Sequence, residues 1–172
     1  MTGIATALKG WFREPPPSFE LRQASARWGT STPRQPRLRL RVAELIQETP
    51  TTRTFVLAAA DGGAATLAYR AGQHLTLLVE AGGTTHRRCY SFSSSPVAGG
   101  APAITIKRMA DGTVSRHLHD QVRVGDTLTA LEPTGEFTVA TDASAARHLV
   151  LVAGGVGITP LISIAETVLR AE

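Results

Sequence analysis

Arg88-Cys89-Tyr90-Ser91-Phe92-Ser93-Ser94 brings a guanidinium, a phenol and several hydroxyls into one short run. On a strand, alternation puts Arg88, Tyr90 and Phe92 on one face and Cys89 on the other. A guanidinium forks to phosphate oxygens, and a tyrosine ring offers a flat apolar face with a polar tip. The pair suits a cofactor that has both a phosphate and an aromatic ring. An ordinary polar strand is the competing reading. Ser91 adds a hydroxyl and an amide where the strand ends. Cys89 reads as a small buried hydrophobe rather than a nucleophile, and no Gly-x-Ser-x-Gly elbow supports acyl transfer.

Two glycine turns add a second kind of chemistry. Gly112-Thr113-Val114-Ser115 opens a short helix, where free amides and the positive end of the helix dipole form a ready anion site. A plain helix cap is the alternative. Gly155-Val156-Gly157-Ile158-Thr159-Pro160 follows an apolar run and precedes a helical pattern. It departs from the dinucleotide fingerprint by placing proline where the third glycine belongs, and it lacks the Lys-Ser/Thr ending of an NTPase loop. Thr159 is expected as the N-cap, with Pro160 at the first helical position. His117 and His119 fall apart on a helix with no further ligands nearby, so no metal is expected.

These residues need elements to hold them. Leu38, Leu40 and Val42 alternate with Arg37, Arg39 and Arg41, as a half-buried strand requires. Further strands are expected at 54–57, 75–79, 87–93, 104–108 and 127–131, separated by Asp61-Gly62-Gly63, Ala81-Gly82-Gly83, Ala98-Gly99-Gly100, Asp111-Gly112 and Gly125-Asp126. Short strands at this spacing predict a small antiparallel β-barrel of Greek-key type, interrupted by one short helix at 114–121. After residue 141 the pattern changes. The continuous apolar run at 148–153 reads as a parallel strand buried on both faces. Leu161, Ile162, Ala165, Val168 and Leu169 then recur at helical spacing. The expected organisation is an extension at 1–35, a barrel at 36–141 and the opening strand, turn and helix of an α/β nucleotide-binding unit at 142–172.

With Arg88-x-Tyr90-Ser91 in place, the sequence resembles the ferredoxin–NADP reductase superfamily. Three further segments fall in that family's order: Ala71-Gly72-Gln73-His74-Leu75; Ile104-Thr105-Ile106-Lys107-Arg108 with Gly112-Thr113-Val114-Ser115; and Glu132-Pro133-Thr134-Gly135-Glu136-Phe137. The resemblance covers roughly residues 37–172. It implies a flavin-binding barrel, with FAD expected rather than FMN and NAD(P)H as co-substrate. Arg88 would hold the flavin diphosphate, Tyr90 would stack on the isoalloxazine, Ser91 would hydrogen-bond near flavin N5 and O4, and Phe92 is expected among the cofactor-binding residues. Thr105, Ile106 and Lys107 would lie along the ribityl and adenosine side, and Gly112, Thr113, Val114 and Ser115 would bind the diphosphate. Gly155, Gly157, Thr159 and Pro160 would receive the nicotinamide end, with Tyr90, Ser91 and Thr159 at the hydride contact. The implied acceptor is a ferredoxin, another iron–sulfur or haem protein, or a small molecule. The alternative is a flavin-binding or electron-transfer module without NAD(P)H turnover.

Composition narrows the remaining classes. The net charge of +4 is uneven: residues 1–41 have +6 and the rest −2, so the folded body is close to neutral and no nucleic acid is expected. A single cysteine leaves no disulfide framework or four-cysteine cluster within the chain and fits a cytoplasmic location. No apolar run approaches the roughly 20 residues of a membrane span. Ile4, Leu8, Trp11 and Phe12 could share one helical face, which leaves peripheral contact with a membrane or partner open alongside packing on the protein itself or a frayed tail.

Overall fold

The alternation that begins at Arg37 becomes the longest strand of a curled antiparallel sheet. The computed structural model describes residues 36–61, 67–144 and 147–172. The extension at 1–35 and the Gly62-Gly63 turn lie outside the described residues. The strands are β1 (Arg37–Thr49), β2 (Thr52–Ala59), β3 (His74–Ala81), β4 (Thr84–Ser91), β5 (Ala103–Lys107) and β6 (Thr127–Leu131), with helix α1 (Thr113–Gln121) between the last two. Residues Gln35 to Glu172 form one unit.

The sheet runs β4-β3-β6-β1-β2-β5. Every pairing is antiparallel. Just beyond β4, Phe92 bridges Ile104 of β5, so the two edges of the sheet meet and the sheet curls into a barrel. Inward residues fill the interior. Val42, Phe55, Leu57, Leu75, Leu77, Phe92, Ile104 and Ile106 are almost wholly buried, and Leu118 of α1 closes one end. The β3–β4 hairpin turns on Gly82 and Gly83, both at positive φ, the conformation a two-residue turn demands and a side chain resists.

The strands differ from expectation where the pleat is interrupted. β1 continues seven residues past Val42 because a bulge between Val42 and Glu44 shifts its register. That shift hides the strand from a period-two reading. The run at 148–153 is not a strand paired with any other among the described residues, and Val150 and Val152 are more than 80% exposed. A parallel strand exists only with neighbours to take its amides and cover its faces.

The Gly155–Gly157 segment folds as one 3-10 turn and leads into α2 (Ile158–Ala171). Thr159 is not the N-cap. Gly157 holds that place, and Pro160 is the third helical residue. The helix also buries a different face from the one its apolar spacing suggested. Thr159, Leu161, Ser163, Ile164 and Thr167 are buried, while Ile162 and Leu169 are exposed.

Candidate functional site

Contacts with β2, β5 and the residue after β5 hold α1 in place. His119, buried, bonds Ile106 O through Nε2 at 2.8 Å, and Arg53 Nη1 donates to His119 O at 2.9 Å. Arg108 forks onto Asp120 with bonds of 3.0 and 2.9 Å, holding the Asp120 carboxyl below its ordinary range. His119 is thereby a structural residue of α1.

The amino end of α1 is built by a tight turn. Ser115 Oγ accepts from Met109 N–H at 3.1 Å, Gly112 N–H donates to Met109 O and Arg116 N–H donates to Gly112 O. The first-turn amides of Thr113, Val114 and Ser115 then have no acceptor within the helix, as the start of any helix requires. No side chain caps them. A Cβ at Gly112 would collide with Ser115 Oγ and sit 2.9 Å from Met109 Cβ, so the turn tolerates only glycine without shifting.

Thr113, Val114 and Ser115 line a cleft of about 510 Å³. One wall is β4, through Arg88, Cys89, Tyr90 and Ser91, and the floor is β5, through Thr105, Ile106 and Lys107. The α1 turn, from Asp111 to Ser115, and Val156, Gly157, Thr159 and Pro160 of the second glycine turn complete it. Three stretches distant in sequence, 88–91, 105–115 and 156–160, therefore meet around one cavity.

The electrostatics favour an anion with an aromatic part. The hydrogen bond recorded for the Arg88 guanidinium is to Arg87 O at 2.8 Å, and among the described residues no carboxylate pairs with it. Lys107 adds an exposed second cation. Thr105 Oγ1 is engaged, donating to Ser93 Oγ at 2.8 Å and lying 2.7 Å from Thr54 Oγ1. A charged guanidinium, unpaired amides and a half-buried phenol fit the diphosphate and ring of FAD.

Burial pushes the Tyr90 phenol up to about 12, against the opposing pull of Arg88. The fold thus favours the neutral ring. Tyr90 contributes its full stability below the ordinary value of 10.0, and loses it as the pH climbs towards about 12, because the unfolded chain ionises first. The alkaline fall in melting temperature is therefore expected to be shallower in Tyr90→Phe than in the parent over that window. Superimposable curves would show that burial of this phenol does not matter.

Several expected site residues stand elsewhere. Phe92 is fully buried and stacks on Tyr69, with ring centroids 3.9 Å apart. The strand ends at Ser91, and the bridge to Ile104 turns Phe92 into the core instead of onto the Tyr90 face. Gly155 does not border the cleft, and Ile106 borders it although its side chain belongs to the core. Cys89 is exposed and lines the cleft, because β4 is an edge strand with neither face fully covered. Met109, Asp111 and Val156 also line it. Their sequence signal is only adjacency to the glycine turns.

A larger groove of about 1080 Å³ lies between β1 and the end of β2, bordered by Arg37, Arg39, Leu57 and Pro102. It contains none of the expected cofactor residues and no helix start. The smaller cleft is the one that most of the expected cofactor residues line.

Known proteins resemble this chain in sequence and in fold. Residues 39–139 match the family model of the oxidoreductase FAD-binding domain. The ferredoxin reductase component of 3-ketosteroid-9-alpha-monooxygenase from Rhodococcus rhodochrous is 41% identical over 131 residues, covering 76% of this chain and 36% of that protein. A flavohemoprotein of Pseudomonas putida is 38% identical over 126 residues, covering 73% and 31%. The FAD/NAD-binding domain of nitric oxide dioxygenase from Vibrio cholerae superposes with a TM-score of 0.68 at 34% identity, covering 77% of this chain and 57% of that one. Phthalate dioxygenase reductase gives 0.67 at 32%, covering 78% and 40%. The chain spans about a third of the length of these curated relatives. It belongs to the family of oxidoreductase FAD-binding domains, within the ferredoxin–NADP reductase superfamily.

Proposed function

We propose that the chain is the flavin-binding part of an NAD(P)H-dependent reductase of the ferredoxin reductase type, passing electrons to an iron–sulfur, haem or small-molecule acceptor. One observation supports this above the rest: β4, the α1 turn and the Gly157–Thr159–Pro160 end of α2 line the same cleft. Arg88 and the amides of Thr113, Val114 and Ser115 bind the diphosphate. Tyr90 lays its neutral ring on the isoalloxazine, and Ser91 offers a hydroxyl near N5. Thr105 and Lys107 border the ribityl and adenosine side. Gly157 and Thr159 seat the nicotinamide across the cleft from Tyr90. When bound, FAD supplies the redox chemistry, and the protein supplies orientation and charge. Residues 142–172 belong, in this reading, to an NAD(P)-binding domain, and the single cysteine fits a cytoplasmic setting. No helix among the described residues is long and apolar enough to cross a membrane.

A second reading, a flavin-binding module without turnover, is favoured by the unpaired run at 148–153 beside the nucleotide turn. Anaerobic stopped-flow reduction of the FAD-loaded chain by NADH and NADPH, set against dithionite, separates the two. The unpaired run predicts reduction that is slow and unsaturated at micromolar nicotinamide. Dithionite reduction with no response to either nucleotide at any concentration would leave only the module.

A further inference from the structure

The face that α2 buries is partly polar. Three hydroxyl residues, Thr159, Ser163 and Thr167, recur at four-residue spacing along it, and Ser163 is completely buried. Beside them lies the segment that continues β4 beyond the cleft. Ser163 Oγ donates to Ser94 O at 2.6 Å, and Thr167 Oγ1 lies 2.8 Å from Ser95 Oγ. The directions are determined. Thr167 uses its one hydroxyl hydrogen on Ser163 O at 2.7 Å, so Ser95 is the donor to Thr167. Ser95 Oγ in turn accepts from Val97 N–H.

The receiving segment is itself anchored. Tyr69 donates to Ser94 O at 3.1 Å and lies 2.7 Å from Ser94 Oγ, which accepts from Ala103 N–H at 2.9 Å. The Tyr69 ring is stacked on Phe92. No buried polar side-chain atom among the described residues lacks a partner. Apolar packing by Leu161 and Ile164 resists displacement but is non-directional. A satisfied hydroxyl network admits one alignment, because a displaced donor is left unpaired in a low-dielectric interior.

We propose that Ser163 and Thr167 are positioning residues: by fastening α2 to Ser94 and Ser95, they set the amino end of that helix at a fixed distance from the Tyr90–Ser91 wall of the cleft. Ser94 and Ser95 follow Ser91 by three and four residues, so the link between the two walls is short. In the reductase reading, on which the functional consequence rests, this link sets the separation of the nicotinamide seat from the flavin. Thr159 touches the cleft, whereas Ser163 and Thr167 act only through the helix that presents it.

The test uses the full FAD-loaded chain and three variants: Ser163→Ala, Thr167→Val and the conservative Thr167→Ser. Residue-resolved amide exchange is the deciding measurement. In Ser163→Ala and Thr167→Val, the amides of Gly157 and Ile158, which bond Gly154 O and Gly155 O, are expected to exchange at least tenfold faster. Amides of β1 and β6, and the affinity for FAD, should stay at parental values, and Thr167→Ser should restore protection. Acceleration spread evenly over the barrel would mean ordinary destabilisation and would overturn the proposal, as would unchanged exchange at Gly157 and Ile158. Reduction by NADH and NADPH is measured in parallel. A limiting rate that falls with half-saturation unchanged supports the positioning role, and the reverse split contradicts it. A parent that never responds to either nucleotide, with the exchange pattern intact, removes the reductase reading and leaves the link between helix and wall standing.

Discussion

Replacing Arg88 with alanine is expected to weaken FAD binding roughly ten- to hundredfold, with the melting temperature of the flavin-free protein unchanged. A charge-assisted bond to phosphate contributes about 1.5–3 kcal/mol, which corresponds to that range. The fold has little stake in the side chain. It is exposed on an edge strand, and its recorded hydrogen bond is to the neighbouring Arg87 carbonyl. Lys107 keeps some positive charge in the cleft, so binding should weaken rather than vanish. Fluorescence titration with FAD, beside a thermal melt of each apoprotein, gives both numbers. Parental affinity in the variant would show that the phosphates do not lie against β4.

The second large effect falls on folding. Gly72→Ala is expected to lower stability by about 2–4 kcal/mol, combining the penalty for a side chain at left-handed φ with overpacking. Gly72 has a φ of 91°. A Cβ there would run into Phe137 O and come within 3.1 Å of Ile164 Cδ1. Neither neighbour yields easily. The Phe137 carbonyl is backbone, and Ile164 is fully buried on α2. The melting temperature should fall by on the order of 10 °C. Because the substitution pushes on α2 as well as on the 132–137 segment, the loss should include the α2 contact with the barrel. A melt within about a degree of the parent would place Gly72 outside this joint.

That joint also shows what the residue pattern conveys and what it leaves out. Ala71-Gly72-Gln73-His74 and Glu132-Pro133-Thr134-Gly135 read separately as two family segments. In the structure they pair with each other: His74 and Thr134 exchange backbone bonds of 2.9 and 3.0 Å, and Gln73 Nε2 donates to Gly135 O at 3.3 Å. Neither borders the cleft. Resemblance located them, but only tertiary pairing shows that they are struts.

Local pattern was most reliable where a strand is covered on one face only. Leu40 and Val42 against Arg39 and Arg41 are buried and exposed as alternation requires. It failed at interruptions. The Val42/Glu44 bulge concealed the second half of β1. The end of β4 at Ser91 broke the phase that had grouped Phe92 with Tyr90. The apolar spacing of α2 misled for another reason. Burial there follows hydrogen bonds to Ser94 and Ser95, whose position depends on the β4–β5 bridge and cannot be read from helical period. Leu161 and Ile164 are buried beside the hydroxyls, while Ile162 and Leu169 face outward. Most residues that line the cleft were singled out in the sequence, through the Arg88-x-Tyr90-Ser91 signature and the two glycine turns, although residue types alone left a polar strand and a plain helix cap open.

The central claim is that FAD sits between β4, β5 and the α1 turn, with its phosphates on the helix start. Backbone amide chemical shifts, followed while FAD is titrated into the protein, test this most directly. The largest changes are expected at Arg88, Tyr90 and Ser91 and at Thr113, Val114 and Ser115, which line the cleft. Saturating changes at Arg37, Leu38, Arg39 and Leu40 and at Ala58, Ala59 and Ala60, with Thr113–Ser115 silent, would place the cofactor in the larger groove beside β1 and contradict the account.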